Sequence, residues 1–313
     1  LKELSKIHHL PGSILEYREL YKLKSTYIDV FPSLIGKDSR LHTTFSQVST
    51  VTGRLSSSTP NLQNIPIRSK EGAAIRRGFS SQRKEDIIHS FDYSQVELRI
   101  LAHFSKEPLL MEAFDEDRDI HRETAKAIFG VEDITSEMRR TAKTINFGII
   151  YGMSPFGLSK ELEISSSQAK EFINLYFQKY ERVKFYIEET LKKALEDGYV
   201  KTISERRRYI PELKSPNSAV RKFAERSAVN TTIQGSAADL IKKAMVEVDR
   251  FLTRGKFETE MILQIHDELL FEGPEEERET LVPKINEIME KAIPLSVPLK
   301  VEAKSGKNWL ETI

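Results

Sequence analysis

Two acidic clusters far apart in the chain carry the first sign of chemistry. Ile87-Ile88-His89-Ser90-Phe91-Asp92-Tyr93-Ser94-Gln95-Val96-Glu97-Leu98-Arg99 sets Asp92 at the end of a mostly hydrophobic strand, and Met261-Ile262-Leu263-Gln264-Ile265-His266-Asp267-Glu268-Leu269-Leu270-Phe271 turns at Asp267. A carboxylate placed where an apolar run would otherwise continue is costly unless it has a partner. A divalent cation is the natural partner for two such aspartates brought together by a fold. Between the clusters, Arg139-Arg140-Thr141-Ala142-Lys143-Thr144-Ile145-Asn146-Phe147-Gly148-Ile149-Ile150-Tyr151-Gly152 offers cations for phosphates and aromatic faces for a base or sugar. Together the three stretches point to phosphoryl transfer on nucleotides.

Spacing strengthens the third stretch. Arg139, Lys143, Phe147 and Tyr151 recur every four residues. Each step advances about 400° on an α-helix, a drift of only about 40°, so the four share one curving stripe. Arg presents a planar fork to phosphate and Lys a point charge. Gly148 and Gly152 allow close approach. Each feature alone has an ordinary reading: Asp92 as a helix N-cap, Asp267 as a hairpin-turn residue, the stripe as a mixed amphipathic face. The combination favours chemistry.

The elements that must hold these residues follow from periodicity and punctuation. Ser13 to Phe31 reads as a helix with Leu20, Leu23, Tyr27 and Phe31 at helical spacing and Pro32 as a stop. His42 to Arg68 reads as short strands and loops. Ile87 to Phe91 is a buried strand, and Gln95 to Phe104 a helix with Val96, Ile100 and Phe104 inward. Ile120–Phe129, Ser136–Tyr151, Ser165–Tyr180 and Val183–Asp197 read as helices, with Ser165 as an N-cap and Gly198 as a C-terminal stop. Ala224 to Phe251 is another long helix. Met261 to Phe271 reads as a tight hairpin, Glu275 to Ile293 as a helix and Val297 to Ala303 as a closing strand. Strands at both ends with helices between give an α+β fold, a sheet domain split by a helical insertion.

Composition sets bounds. The 313 residues suffice for a sizeable core and more than one subdomain. Lys plus Arg is 48 and Asp plus Glu is 47, a net charge of +1, so global charge does not announce nucleic acid. Local charge is more telling: Lys201, Arg206, Arg207, Arg208, Lys214, Arg221, Lys222 and Arg226 face only Glu205, Glu212 and Glu225 in that stretch, while Glu275-Glu276-Glu277 lies elsewhere. Such a stretch suits DNA or a solvated face equally. There is no cysteine, which removes disulfides, thiolate metal sites and cysteine nucleophiles. No apolar run approaches the roughly 20 residues needed to cross a bilayer. The chain begins Leu1-Lys2-Glu3 and reads as a piece of a longer protein.

The three stretches, in this order, resemble the family A DNA polymerases, the DNA polymerase I family, over essentially the whole chain. Asp92 to Arg99 resembles that family's motif A, with Val96 where Ile is commoner; Arg139 to Gly152 resembles motif B; Gln264 to Glu268 resembles motif C. Thr52-Gly53-Arg54-Leu55-Ser56-Ser57, Pro60-Asn61-Leu62-Gln63-Asn64-Ile65-Pro66 and Gln234-Gly235-Ser236-Ala237-Ala238-Asp239 are further family signatures. One departure is Glu205, which stands where many relatives have Gly and puts the local turn geometry in doubt.

The resemblance implies a right-hand polymerase: an antiparallel-sheet palm with a helical fingers insertion and most of the thumb absent. On this expectation residues 1–32 end the thumb, 33–104 and 223–313 form the palm, and 105–222 form the fingers. It implies template-directed 5′→3′ DNA synthesis from dNTPs on a primer–template. Asp92 and Asp267, with the backbone carbonyl of Tyr93, would ligate two Mg²⁺ ions, and Glu268 would support them. Two metals roughly 3.5–4 Å apart are general to polymerases. Arg139, Lys143 and His121 would contact the triphosphate, Phe147 the sugar and base, and Tyr151 the templating base. Gln95 joins this nucleotide-binding set, and Glu97 would exclude a 2′-hydroxyl. Arg54 and Gln234 resemble residues that probe the minor groove, where purine N3 and pyrimidine O2 are acceptors common to all correct pairs. Gln63, Asn64, Arg68, Arg226, Asn230 and His266 would contact primer, template or terminus. The further expectations are a monomer, no membrane association, and a place in the bacterial cytoplasm at the nucleoid, in replication or repair.

Overall fold

A computed structural model describes residues 1–67 and 69–313; Arg68, expected at the DNA, lies outside the described residues. The chain opens with α1 (Lys2–Ser5) and α2 (His9–Leu23), a π-helical stretch over Lys24–Ile28, and α3 (Phe31–Leu34). The single helix expected over 13–31 is therefore broken, and Pro32 begins a helix instead of ending one. Proline fits a first turn because the missing N–H has no intrahelical partner there. Leu23 and Tyr27 are buried, and Leu20 is exposed. The Tyr27 hydroxyl donates to the Asn64 carbonyl at 2.7 Å, fastening this segment to the loops that follow.

Those loops hold a small ribbon, β1 (Thr44–Ser46) with β2 (Ser56–Ser58), and then α4 (Lys70–Arg77). Next come β3 (Asp86–Tyr93) and seven helices: α5 (Val96–Ser105), α6 (Pro108–Asp115), α7 (Ile120–Phe129), α8 (Ser136–Ile150), α9 (Pro155–Leu162), α10 (Ser166–Lys179) and α11 (Glu181–Asp197). A hairpin of β4 (Tyr199–Lys201) and β5 (Arg207–Tyr209) leads into α12 (Ser218–Gly255). The chain closes through β6 (Glu260–Ile265), β7 (Glu268–Pro274), α13 (Arg278–Glu290) and β8 (Val301–Gly306).

The main sheet is antiparallel, in the order β6-β7-β3-β8. Its central strands are buried almost without alternation because both faces are covered. Phe91, Leu269 and Phe271 belong to one buried cluster, with α5, α12 and α13, while Ile88, Ile265, Leu270 and Trp309 belong to another. Phe91 and Phe271 meet edge to face at 5.4 Å. Each such buried side chain contributes about 1.5–3 kcal/mol. The fold is thus mixed helix and antiparallel sheet.

Local signals explain most boundaries. Ser165 caps α10 through a capping box with Gln168, and Gly198 ends α11 at φ +78°. The helix expected over 224–251 is longer, because Asn217 caps it seven residues earlier. The helix expected over 275–293 opens as a 3-10 turn at Glu275–Glu277 and ends at Glu290. The last strand is displaced from 297–303 to Val301–Gly306. Val297 and Leu299 are buried, but Pro298 between them has no N–H for a ladder. Glu205 takes the left-handed conformation, φ +61°, that glycine would adopt freely. The turn closes nonetheless, with the Thr202 amide donating to the Arg206 carbonyl at 3.0 Å; the departure costs about 1–2 kcal/mol of backbone strain.

Candidate active site

The acidic residues meet at one end of the sheet. Antiparallel register places Asp92 opposite Glu268. Asp267 occupies the two-residue turn between β6 and β7, behind His266 at φ +53°. The Tyr93 amide donates to the Asp267 carbonyl at 3.1 Å, which ties the turn to β3. The Tyr93 ring leaves the cluster: its hydroxyl donates to the Met289 carbonyl at 2.6 Å in the core, so only its backbone can serve the acidic end.

These carboxylates repel one another. Asp92 is open to solvent on one side, yet burial of the rest, followed by Glu268, Asp267 and Glu302, pushes its pKa up to about 7. Burial also raises Asp267 and Glu268. Arg54 and His266 oppose the shift at Asp267, and the Ser90 hydroxyl, donating to Glu268 Oε1 at 2.5 Å, opposes it at Glu268. Among the described residues no three carboxylates or imidazoles converge as a complete metal cage. The donor set still fits Mg²⁺, a hard cation commonly held by one or two carboxylates plus substrate phosphates. A cation would relieve the mutual repulsion.

Arg54 links this cluster to the helical stripe. Its Nη2 lies 2.8 Å from Glu97 Oε1 and 3.5 Å from Asp267 Oδ1. Glu97 is buried on α5, and its Oε2 accepts from the Tyr151 hydroxyl at 3.0 Å. Burial raises the Glu97 pKa against the pull of Arg54, and burial beside Glu97 pushes Tyr151 up to about 12. Tyr151 stacks near Phe147 at 6.3 Å between centroids, and Phe147 lies 6.0 Å from His121. Gln95, half-buried, precedes α5 in the left-handed conformation at φ +54°.

The far end of the stripe is cationic. Asp119 caps α7 by accepting from the His121 and Arg122 amides, and its Oδ2 accepts from Arg139 Nε at 2.6 Å. Lys143 is exposed. Burial, with smaller effects from Lys143 and Arg139 against Asp119, holds His121 down at about 4, so the imidazole is neutral at pH 7. Among the described residues, no hydrogen bond or ion pair joins Arg139 or Lys143 to Asp92, Asp267 or Glu268. Among the described residues, Arg54, Glu97 and the aromatic rings run between the acidic and cationic ends.

The remaining candidates border this line. Arg226, Asn230 and Gln234 lie at i, i+4 and i+8 on α12, on one face. Arg226 packs against Gly152, where a Cβ would come within 2.6 Å of its Cγ. Asn230 Oδ1 is buried without a partner among the described residues, and Gln234 lies beside the Tyr151 hydroxyl. Gln63 does structural work, donating to the Gln264 carbonyl and Oε1, both at 3.1 Å; Gln264 in turn donates to the His266 carbonyl at 2.5 Å. Asn64 is exposed, and its carbonyl holds Tyr27.

Ser90, Gln264 and Arg206 take part in this network without an individual role assigned to them by sequence. Ser90 and Gln264 had a signal, a polar residue inside an apolar run shortly before each aspartate. Arg206 had only its charge.

Comparison with known proteins follows the same line. The model of DNA polymerase family A matches residues 1–311. DNA polymerase I of Bacillus subtilis (strain 168) is 49% identical over 314 residues, covering 99% of this chain and 36% of that protein. DNA polymerase I of Bacillus caldotenax is 48% identical over 315 residues, again 99% and 36%. A solved structure, described as the POL domain of Pol1 from M. smegmatis complexed with DNA primer-template and dNTP, superposes with a TM-score of 0.95 at 41% identity, covering 99% of this chain and 55% of that one. The chain thus spans about a third of the length of the curated relatives it matches.

Proposed function

The chain belongs to DNA polymerase family A, and from that membership we propose that it carries template-directed 5′→3′ DNA synthesis. The observation that carries this reading is the unbroken line from Asp267 through Arg54 and Glu97 to Tyr151 and Phe147, which joins an acidic end to an aromatic and cationic helix face. The primer 3′-oxygen attacks the α-phosphorus of a dNTP, a new P–O bond forms, and the bond to the β-phosphate oxygen breaks. Pyrophosphate leaves with the bonding pair, and the 3′-hydroxyl proton passes to solvent.

Asp92, Asp267 and the Tyr93 carbonyl would hold divalent cations, taken as two Mg²⁺ ions, which when bound would supply charge stabilisation for the entering and leaving oxygens. Glu268 lies beside the pair and is oriented by Ser90. Arg139, Lys143 and neutral His121 bind the triphosphate. Phe147 lies against sugar and base, with Gln95 also on the nucleotide side, and Tyr151 closes on the templating base. Glu97, held between Arg54 and Tyr151, meets the 2′ position of the sugar. Arg54 and Gln234 donate to minor-groove acceptors. Arg226, Asn230, Asn64, Gln63 and His266 border the primer–template, and Arg68 belongs with them by sequence.

In this reading residues 33–104 and 223–313 form the palm, 105–222 the fingers, and 1–32 the end of a thumb. Support comes from the main sheet, with β3 before the helical stretch and β6 to β8 after it. The working unit is taken as a monomer in the cytoplasm. No helix is long and apolar enough to cross a membrane among the described residues.

The test is single-nucleotide extension of a labelled primer–template by this chain with Mg²⁺ at low salt and enzyme excess. Extension by the templated deoxynucleotide is expected, and Asp92→Ala or Asp267→Ala should each slow it at least about 100-fold. DNA and dNTP binding without extension would make the chain a recognition fragment. Full activity in either variant would remove that aspartate from the metal site.

A further inference from the structure

Arg206 follows the β4–β5 turn, and its guanidinium joins three segments remote in sequence. Nε donates to Asp239 Oδ1 at 3.0 Å, and Nη2 donates to the carbonyls of Thr52 at 2.6 Å and Gly235 at 3.2 Å. Those carbonyls flank the two minor-groove candidates: Thr52 stands two residues before Arg54, and Gly235 one after Gln234. The hairpin holds Arg206 itself, whose amide donates to Thr202 Oγ1 at 3.2 Å.

Two glycines make room for the group. A Cβ at Gly53 would lie 2.5 Å from Arg206 Cζ, and one at Gly235 would lie 3.0 Å from Nη2 and 2.6 Å from Thr202 Cγ2. Gly53 also has φ +80°, which other residues rarely adopt. One planar fork therefore meets two main-chain acceptors and a buried carboxylate at once. A lysine ammonium on a flexible stem cannot reproduce that geometry.

We propose that Arg206 is a positioning residue for base-pair selection: it locks the Thr52–Arg54 loop to α12, so that Arg54 and Gln234 address the terminal pair as a fixed set. The proposal rests on the minor-groove reading of those two residues. Losing Arg206 leaves both donors in place but no longer registered to each other.

The experiment uses the full chain, Arg206→Ala and Arg206→Lys. Single-turnover extension is compared on primer–templates carrying natural purines or 3-deazapurines at the terminal pair, which lack the N3 acceptor. Amide hydrogen exchange is followed at Gly53 to Leu55 and in α12. Loss of a hydrogen bond to a charged donor should slow the parent chain about 10-fold or more on the modified substrate. In both variants that penalty should shrink to under about threefold, while the Gly53 and Arg54 amides exchange at least about 10-fold faster. Folded variants that keep the full 3-deaza penalty and parent-like exchange would overturn the proposal. If Arg206→Ala does not fold, Arg206→Lys alone decides. A parent chain indifferent to 3-deazapurines would sink the minor-groove reading and with it the role in base-pair selection, whereas a parent that shows the penalty beside variants with unchanged penalty and exchange would overturn the positioning role alone.

Discussion

At the residue scale, Glu97 combines burial, charge and two partners in one side chain. It is 4% exposed, with Arg54 2.8 Å from Oε1 and Tyr151 3.0 Å from Oε2. Both oxygens are therefore fixed, and the carboxylate is a rigid wall beside the proposed sugar. Selection by such a wall is steric and polar, acting against the wrong substrate more than for the right one. Glu97→Ala should raise the ribonucleotide-to-deoxynucleotide ratio of kcat/KM by about 10–200-fold, the range typical of a small pocket change. Glu97→Gln keeps the volume and should retain most of the selection. An unchanged ratio in Glu97→Ala would show that the sugar is sensed elsewhere.

At the element scale, β3 sets both the site and a pH response. His89 is buried in that strand opposite Ser305 of β8, with Nδ1 2.8 Å from the serine hydroxyl and Nε2 unpartnered among the described residues. Burial, with Arg278 against Glu275, holds its pKa down at about 4, from an ordinary 6.5. In the fold it is neutral where the unfolded chain already binds a proton. Stability from this group is thus complete above about pH 6.5 and is lost as pH falls towards 4, by at most about 1.4 kcal/mol per pH unit. Below 4 both states are protonated and the loss stops growing. His89→Gln should flatten the acid limb of denaturant-measured stability in that window relative to the parent; parallel limbs would mean that His89 is protonated in the fold. The same strand shows what sequence can reveal. The acidic interruptions in β3 and the β6–β7 hairpin, and the four-residue stripe on α8, were legible because a single element writes its own periodicity. The shift of β8 past Pro298 also had a signal, in a proline without a ladder N–H, whereas the π-helical turn at Lys24–Ile28 had none, since its packing neighbours decide it. Arg206 was invisible for the same reason: its partners Thr52, Gly235 and Asp239 come from two other segments.

At the scale of the whole molecule, a net charge of +1 conceals segregation. The stretch from Lys201 to Arg226 spans the β4–β5 hairpin and the start of α12, but most of its cations are already engaged. Arg206 holds backbone, Arg207 lies over the Tyr199 ring, Arg208 donates to Thr231 and Arg221 to the Ser215 carbonyl. Lys214 and Lys222 are exposed and make no ion pair among the described residues. With Arg226, already placed beside the primer–template, these two are therefore the members of the stretch best placed to meet DNA phosphates. Each phosphate neutralised by such a lysine contributes about 0.9 to the slope of log affinity against log salt. Replacing both with Gln should reduce the slope of primer–template binding by nearly 2, uniformly across sequences, because phosphate contacts carry no base information. Glu276→Gln, in the remote acidic run, changes net charge by half as much and should leave the slope unaltered. Anisotropy titrations between roughly 50 and 200 mM salt decide the matter. A slope unchanged in the double lysine variant would place the DNA phosphates away from Lys214 and Lys222, which would then be solvated side chains, with the structural share of the stretch belonging to Arg206.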